Sequence, residues 1–237
     1  MPVGAPFGYD EIVPLQKTHR VLMPSGGTPT FCRKLHALAV SVGEFIAAGR
    51  DYPIVFAAAD DGKRFAPVIV LGLEAGVNLF LDHAGEWDRS CYFPAYVRRF
   101  PFCLSTERVV CVVKSYIDKS GVALYDKDGK PTAQWQTAEA LLAGFDADLE
   151  RTAQMCSALV RLELFEPFSI QVKDQPEIQL AGMVRVAETK LRALQPVRLK
   201  ALNDKGFLGL AYAHLHSLEN FVRLLARFHA RRGGGKG

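Results

Sequence analysis

The chain is 237 residues long, 49% apolar and 23% charged, with 13 prolines, values near the average of globular domains that exclude a disordered, fibrous or low-complexity class. At this length roughly 70 to 75% of the unfolded chain's surface is buried on folding, so the core needs neither metal nor disulfide. The formal charge of +4 is concentrated at one end, because residues 223–237 hold Arg223, Arg227, Arg231, Arg232 and Lys236 with no acid and leave −1 on the rest.

Taken in chain order, residues 9–29 are rich in Pro, Gly and isolated polar residues, which predicts an extended segment lying over the domain. The alternation from Cys32 to Val40 is compatible with a strand, and Ser41 is placed to cap a short helix through Arg50. Pro53 stops that helix. Residues 54–58 and 66–73 then read as two strands joined by the turn Asp60-Asp61-Gly62-Lys63, a hairpin spacing. Residues 79–82 form a short strand, turning at 83–86 toward Trp87. Pro94 opens a brief helix that Pro101 forbids from continuing. Residues 102–104, 109–117 and 122–125 are strand-like, and 126–131 are a turn.

Residues 137–164 carry the longest helical pattern, with Leu142, Phe145, Leu149, Cys156, Leu159 and Glu163 near one stripe. Strands at 169–172 and 178–186 flank the turn Asp174-Gln175-Pro176. The final helix repeats Leu208, Ala211, Leu215, Leu218, Val222 and Leu225 at spacings of three and four. This predicts a buried seam, with Arg223, Arg227 and Arg231 as a stripe on the outer face. With strands outnumbering helices and no internal repeat, the expected fold is α+β: a mixed, mostly antiparallel sheet packed by two long helices. The expected organisation is an extended segment over 1–30 docked on a single domain over 31–230, then a flexible basic and glycine-rich tail over 231–237.

Cys32, Cys91, Cys103, Cys111 and Cys156 are odd in number, scattered and without a C-x-x-C pair, which points to reduced thiols rather than a disulfide framework or zinc site. The first ten residues lack a basic n-region, and no stretch approaches the roughly 20 apolar residues of a membrane helix. A cytoplasmic chain with no membrane span is the expectation. The C-terminal cations read as complements to a helix dipole, with a basic patch for an anionic surface as the alternative, so nucleic acid is not the expected partner.

Three stretches together resemble those of the SapC family of bacterial proteins: residues 49–56 (GRDYPIVF), 92–102 (YFPAYVRRFPF) and 210–218 (LAYAHLHSL). The segment Tyr9-Asp10-Glu11-Ile12-Val13-Pro14-Leu15 and the LFLD of 79–82 are similar too. The resemblance implies a link to surface-layer protein export and supplies no catalytic residues to carry over.

Chemistry in the residues themselves is sparse. His214, His216 and Glu219 invite a metal reading. However, the two histidines lie about 200° apart on a helix, which favours solvated or capping side chains. Asp126-Lys127-Asp128-Gly129 has its glycine too early for a calcium loop. Neither a phosphate-binding glycine loop nor a G-x-S-x-G elbow occurs. The densest polar and aromatic cluster holds Asp82, Trp87, Tyr92, Tyr96, Arg98 and Arg99, which makes these six the candidate ligand-binding residues; the alternative is that Trp87 and Tyr92 plug a sheet edge while the arginines form ordinary ion pairs. Two functional readings follow. One is a non-catalytic accessory or binding module with a protein partner and no cofactor or metal. The other is a small-molecule-binding protein or enzyme with its pocket around Asp82, Trp87, Tyr92, Arg98 and Arg99.

Overall fold

A computed structural model describes residues 5–24, 27–59, 64–172 and 175–233. In chain order the elements are β1 (Ile12–Pro14), β2 (Arg20–Val21), β3 (Ala37–Ala39), α1 (Phe45–Gly49), β4 (Ile54–Ala59), β5 (Arg64–Val70), α2 (Ala95–Arg98), β6 (Phe102–Leu104), β7 (Val110–Val113) and β8 (Val122–Ala123). They continue with α3 (Ala133–Arg161), β9 (Phe165–Val172), β10 (Gln175–Val186), α4 (Glu188–Arg192), α5 (Pro196–Asp204), α6 (Phe207–Ser217) and α7 (Asn220–Gly233). The fold is α+β, and the strand pairings among the described residues are antiparallel.

The main sheet runs β3-β5-β4-β10-β9, beside a smaller β1-β7-β6 sheet and a β2-β8 ribbon. β4 and β5 pair from Ile54 opposite Ile69 to Ala59 opposite Arg64, as the hairpin spacing predicts, while the turn 60–63 lies outside the described residues. β4 is a central strand, and Ile54, Val55 and Phe56 are all fully buried because helices or loops cover both faces. α3 packs on β5 and β6, and α6 packs on β4 and β10.

Ser41 caps its helix as expected. Its amide and hydroxyl both donate to Glu44 Oε2 at 3.1 Å, a capping box that satisfies two donors. The expected strand from Cys32 is instead a 3₁₀ helix over Thr30–Lys34, with the strand confined to Ala37–Ala39. α3 starts earlier than its apolar stripe suggests, because Thr132 Oγ1 accepts the Trp135 amide at 3.3 Å and Trp135 itself is buried. Two stripe positions also differ: Leu149 is 40% exposed, and Glu163 falls beyond the helix at a φ of 53°.

The largest departure is at the C-terminus. The expected single helix breaks at Leu218-Glu219, where the amides of 218, 219, 221 and 222 bond three residues back. Each residue of such a tighter turn adds about 20° of rotation over an α-helix. The buried face of α7 therefore becomes Phe221, Leu224 and Phe228, and Val222 is 70% exposed. Arg223, Arg227 and Arg231 lie along the flank of α7, Arg223 and Arg231 exposed and Arg227 partly buried, and reach the loops they were expected to face away from. α4 and α5 are also absent from the sequence expectation, since each buries one residue, Leu191 and Leu202 respectively.

Candidate functional site

The loop from residues 71 to 94 is held in place from beneath. Glu44, 5% exposed, accepts four hydrogen bonds: two from Ser41 at its Oε2, and at its Oε1 one from Tyr92 Oη at 3.1 Å and one from the Ala95 amide at 2.7 Å. Such saturation is what a buried carboxylate requires. Asp51 accepts the Tyr92 amide at 2.7 Å and meets Arg50 at 3.3 Å. The Tyr52 hydroxyl donates to the Tyr92 carbonyl and accepts Trp87 Nε1–H at 2.9 Å. Burial raises the Tyr52 pKa, so this hydroxyl stays a donor.

α7 closes the other side. Arg227 Nη2 lies 2.7 Å from Asp88 Oδ2 and 3.4 Å from Cys91 Sγ, and its guanidinium sits 4.5 Å over the Phe80 ring. Arg231 donates to the Asn78 carbonyl at 2.7 Å, Arg223 to that of Arg50 at 3.1 Å, and Arg232 pairs with Glu74 at 2.7 Å. Hydrogen bonds from Ser90 and Arg227 lower the Asp88 pKa and keep it ionised. Burial raises the Cys91 thiol and keeps it protonated.

Between loop and helix lie two adjoining clefts of about 520 and 430 Å³ that share Leu81, Asp82 and Arg227; Arg231 and His83 line the first, Phe80 and Trp87 the second. A third hollow of about 250 Å³ lies against Trp87, Asp88, Cys91 and Phe93. Of the six residues singled out from sequence, Asp82 and Trp87 line these clefts. Tyr92 points its hydroxyl instead to Glu44 and to the exposed Arg98, 3.0 Å away. Tyr96 bonds the Phe7 carbonyl at 2.7 Å, and Arg99 stacks on Tyr96 at 4.4 Å and Phe145 at 4.5 Å, facing the N-terminal segment and α3. The structure thus divides the cluster between two sides. Arg227 and Arg231 were visible as a four-residue repeat but are assigned to the site only once the phase of α7 is known.

His214 is not a solvated side chain, contrary to the sequence expectation. It is fully buried, with Nε2 accepting the Val186 amide at 3.1 Å and Nδ1 facing the Ile54 carbonyl at 2.9 Å. Among the described residues, no three His, Cys, Asp or Glu side chains are grouped to hold a metal ion, and no helix is long and apolar enough to cross a membrane.

Fold and site together define an α+β protein with an arginine-walled surface cleft. The SapC family model matches residues 16–224, and the chain belongs to the SapC family. No curated protein and no solved structure matches it.

Proposed function

We propose that this chain is a non-catalytic binding module of the bacterial cytoplasm that holds its ligand in the cleft between residues 79–83 and α7. The observation that carries the reading is Arg227. It stands in the wall common to both clefts, already fixed by Asp88 at 2.7 Å and by the Phe80 ring at 4.5 Å. A cation ordered before the ligand arrives loses little entropy on binding, and a guanidinium beside apolar side chains suits a carboxylate or phosphate on a small organic body. The protonation states nearby favour recognition over proton transfer, since Asp88 is held ionised while Cys91 and Tyr52 are held protonated. The SapC resemblance adds an expected link to surface-layer protein export, in which the chain would act as an accessory and not as a conduit.

A thermal-shift screen with carboxylate, phosphate and divalent-metal panels tests the proposal. A ligand at about 100 times its Kd stabilises by about 2.7 kcal/mol, which for a chain of this size raises Tm by roughly 5 to 10 °C. That rise should vanish in Arg231→Ala and persist or grow in Asp82→Asn, which removes a like charge from the wall facing the anion while keeping the acceptor for the Glu86 amide. Panels that leave Tm unmoved, or a rise that survives Arg231→Ala, overturn the reading.

A further inference from the structure

A separate depression, of about 160 Å³, lies where α3 ends against α5 and shares no residue with the α7 clefts. Ala158, Leu162 and Leu202 form its floor, and Arg161, Arg198 and Lys205 its rim. The helical period sets this pattern, because 158, 161 and 162 share one face of α3, and 198, 202 and 205 share one face of α5. Ala158 and Leu202 are buried, whereas the three cations are exposed. Among the described residues no hydrogen-bond or ion-pair partner meets any of the three cationic groups, in contrast to Lys200, which pairs with Asp204 at 2.7 Å on the same helix. Arg151 adds a fourth cation alongside, donating to the Lys205 carbonyl at 3.4 Å.

Helix dipoles account for part of this charge. Arg161 is in the last turn of α3 and Lys205 caps the end of α5, where cations are favoured. Arg151 reaches the same helix end through the Lys205 carbonyl, but Arg198 stands in the first turn of α5, where the dipole disfavours a cation. Cations gathered without counter-charge around an apolar floor, one of them against its own helix dipole, make a surface complementary to an anion with an apolar group.

We propose that this groove docks an acidic protein segment that inserts one apolar side chain between flanking carboxylates. The recess is of the size that accepts a single benzene-sized group, about 150 Å³, so it calls for a protruding anchor, which a bilayer surface does not offer. Its lining holds no aromatic ring on which nucleic-acid bases would stack.

The test is fluorescence anisotropy of the full chain with a labelled peptide of Glu-Leu-Glu-Glu repeats. An all-glutamate peptide, phosphatidylglycerol vesicles and a single-stranded oligonucleotide serve as the other arms. Binding of the leucine-bearing peptide is expected at low salt and should weaken as salt rises. The all-glutamate peptide should bind about tenfold more weakly, the contribution of one buried leucine. The triple variant Arg161→Glu, Arg198→Glu, Lys205→Glu should lose affinity by at least about tenfold. Arg198→Glu alone should weaken binding with Tm unchanged or raised, because it relieves a cation at a helix N-terminus; this keeps the test independent of folding. No binding of the leucine-bearing peptide, equal affinity in Arg198→Glu, or binding only of vesicles or oligonucleotide overturns the proposal.

Discussion

Acidification should loosen this fold through His214. The ring joins α6 to two strands: Nε2 accepts from Val186, so the proton resides on Nδ1 and is donated to the Ile54 carbonyl. A second proton would turn the acceptor into a donor facing another donor, at a site with no solvent exposure. Burial accordingly lowers the pKa from 6.5 to about 4. Because the folded pKa lies below the unfolded one, the unfolded chain binds more protons between these values. The stabilisation is complete above about pH 6.5, falls as pH drops, and is gone below about pH 4. At 1.36 kcal/mol per unit, the shift corresponds to about 3 kcal/mol. Urea melts of the wild type and His214→Gln, from about pH 7 to about pH 4, measure it. Carboxylates protonate in both chains, so the difference between the curves reports the histidine. The variant should be less stable by about 2 to 3 kcal/mol at neutral pH, with the gap closing toward acid. A gap that is independent of pH would refute the assignment.

Four further substitutions test the packing of the site. Leu224→Ala should cost about 2 to 5 kcal/mol by leaving a cavity under α7, whereas Val222→Ala should stay within about 0.5 kcal/mol; equal effects in denaturant melts would place the helix in the wrong phase. Tyr52→Phe leaves Trp87 Nε1–H and the Tyr92 carbonyl without partners, at about 1 to 3 kcal/mol. Its near-ultraviolet circular dichroism should change at Trp87 as the ring loses its anchor. Arg227→Ala removes a partly exposed ion pair and a ring contact, costing about 1 kcal/mol, and about half of that cost should disappear at high salt. A loss untouched by salt would assign the role to packing alone.

What was legible in the sequence was the chemistry that acts within a few residues. Ser41 and Glu44 form their capping box at a separation of three, residues 126–131 turn on Asp126 Oδ1, and the 54–70 hairpin follows from alternation and spacing. The phase of α7 was not legible, although its apolar repeat is strong. The repeat at 208–225 has no internal mark of where the helix tightens. Partners far along the chain set that place: Ser217 Oγ accepts the Ile54 amide at 2.9 Å, and Asn220 donates to the Gly49 carbonyl at 2.7 Å. A four-residue arginine repeat shows that three cations share a face, but which loops that face meets depends on where the helix tightens. The candidate cluster of 82–99 likewise looked continuous because it is short in sequence. α2 and the residues around it turn Tyr96 and Arg99 toward Tyr9 and Phe145, away from Asp82 and Trp87.

The three stretches that carry the family resemblance meet one another in the fold, and this bears on what membership in the family transmits. The 49–56 segment joins 210–218 where Gly49 lets α1 approach α6: a Cβ there would lie 3.3 Å from that of Ser217, and Ile54 gives its amide to Ser217 and its carbonyl to His214. It joins 92–102 through Asp51 and Tyr52, both bonded to the backbone of Tyr92. Asp51, Tyr52, His214 and Ser217 thus spend their polar atoms on holding backbone to backbone, a task that tolerates little substitution whatever ligand is bound. Of the clefts' walls, the loop residues 79–89 fall within the span 16–224 that the family model matches, while Arg227, Ala230 and Arg231 lie beyond it. Under the proposed function, the α7 side of the cleft is the part that the family match does not reach. Substitutions at Asp51, Tyr52, His214 or Ser217 should therefore lower stability, whereas Arg231→Ala should change any ligand-induced rise in Tm while the fold stands.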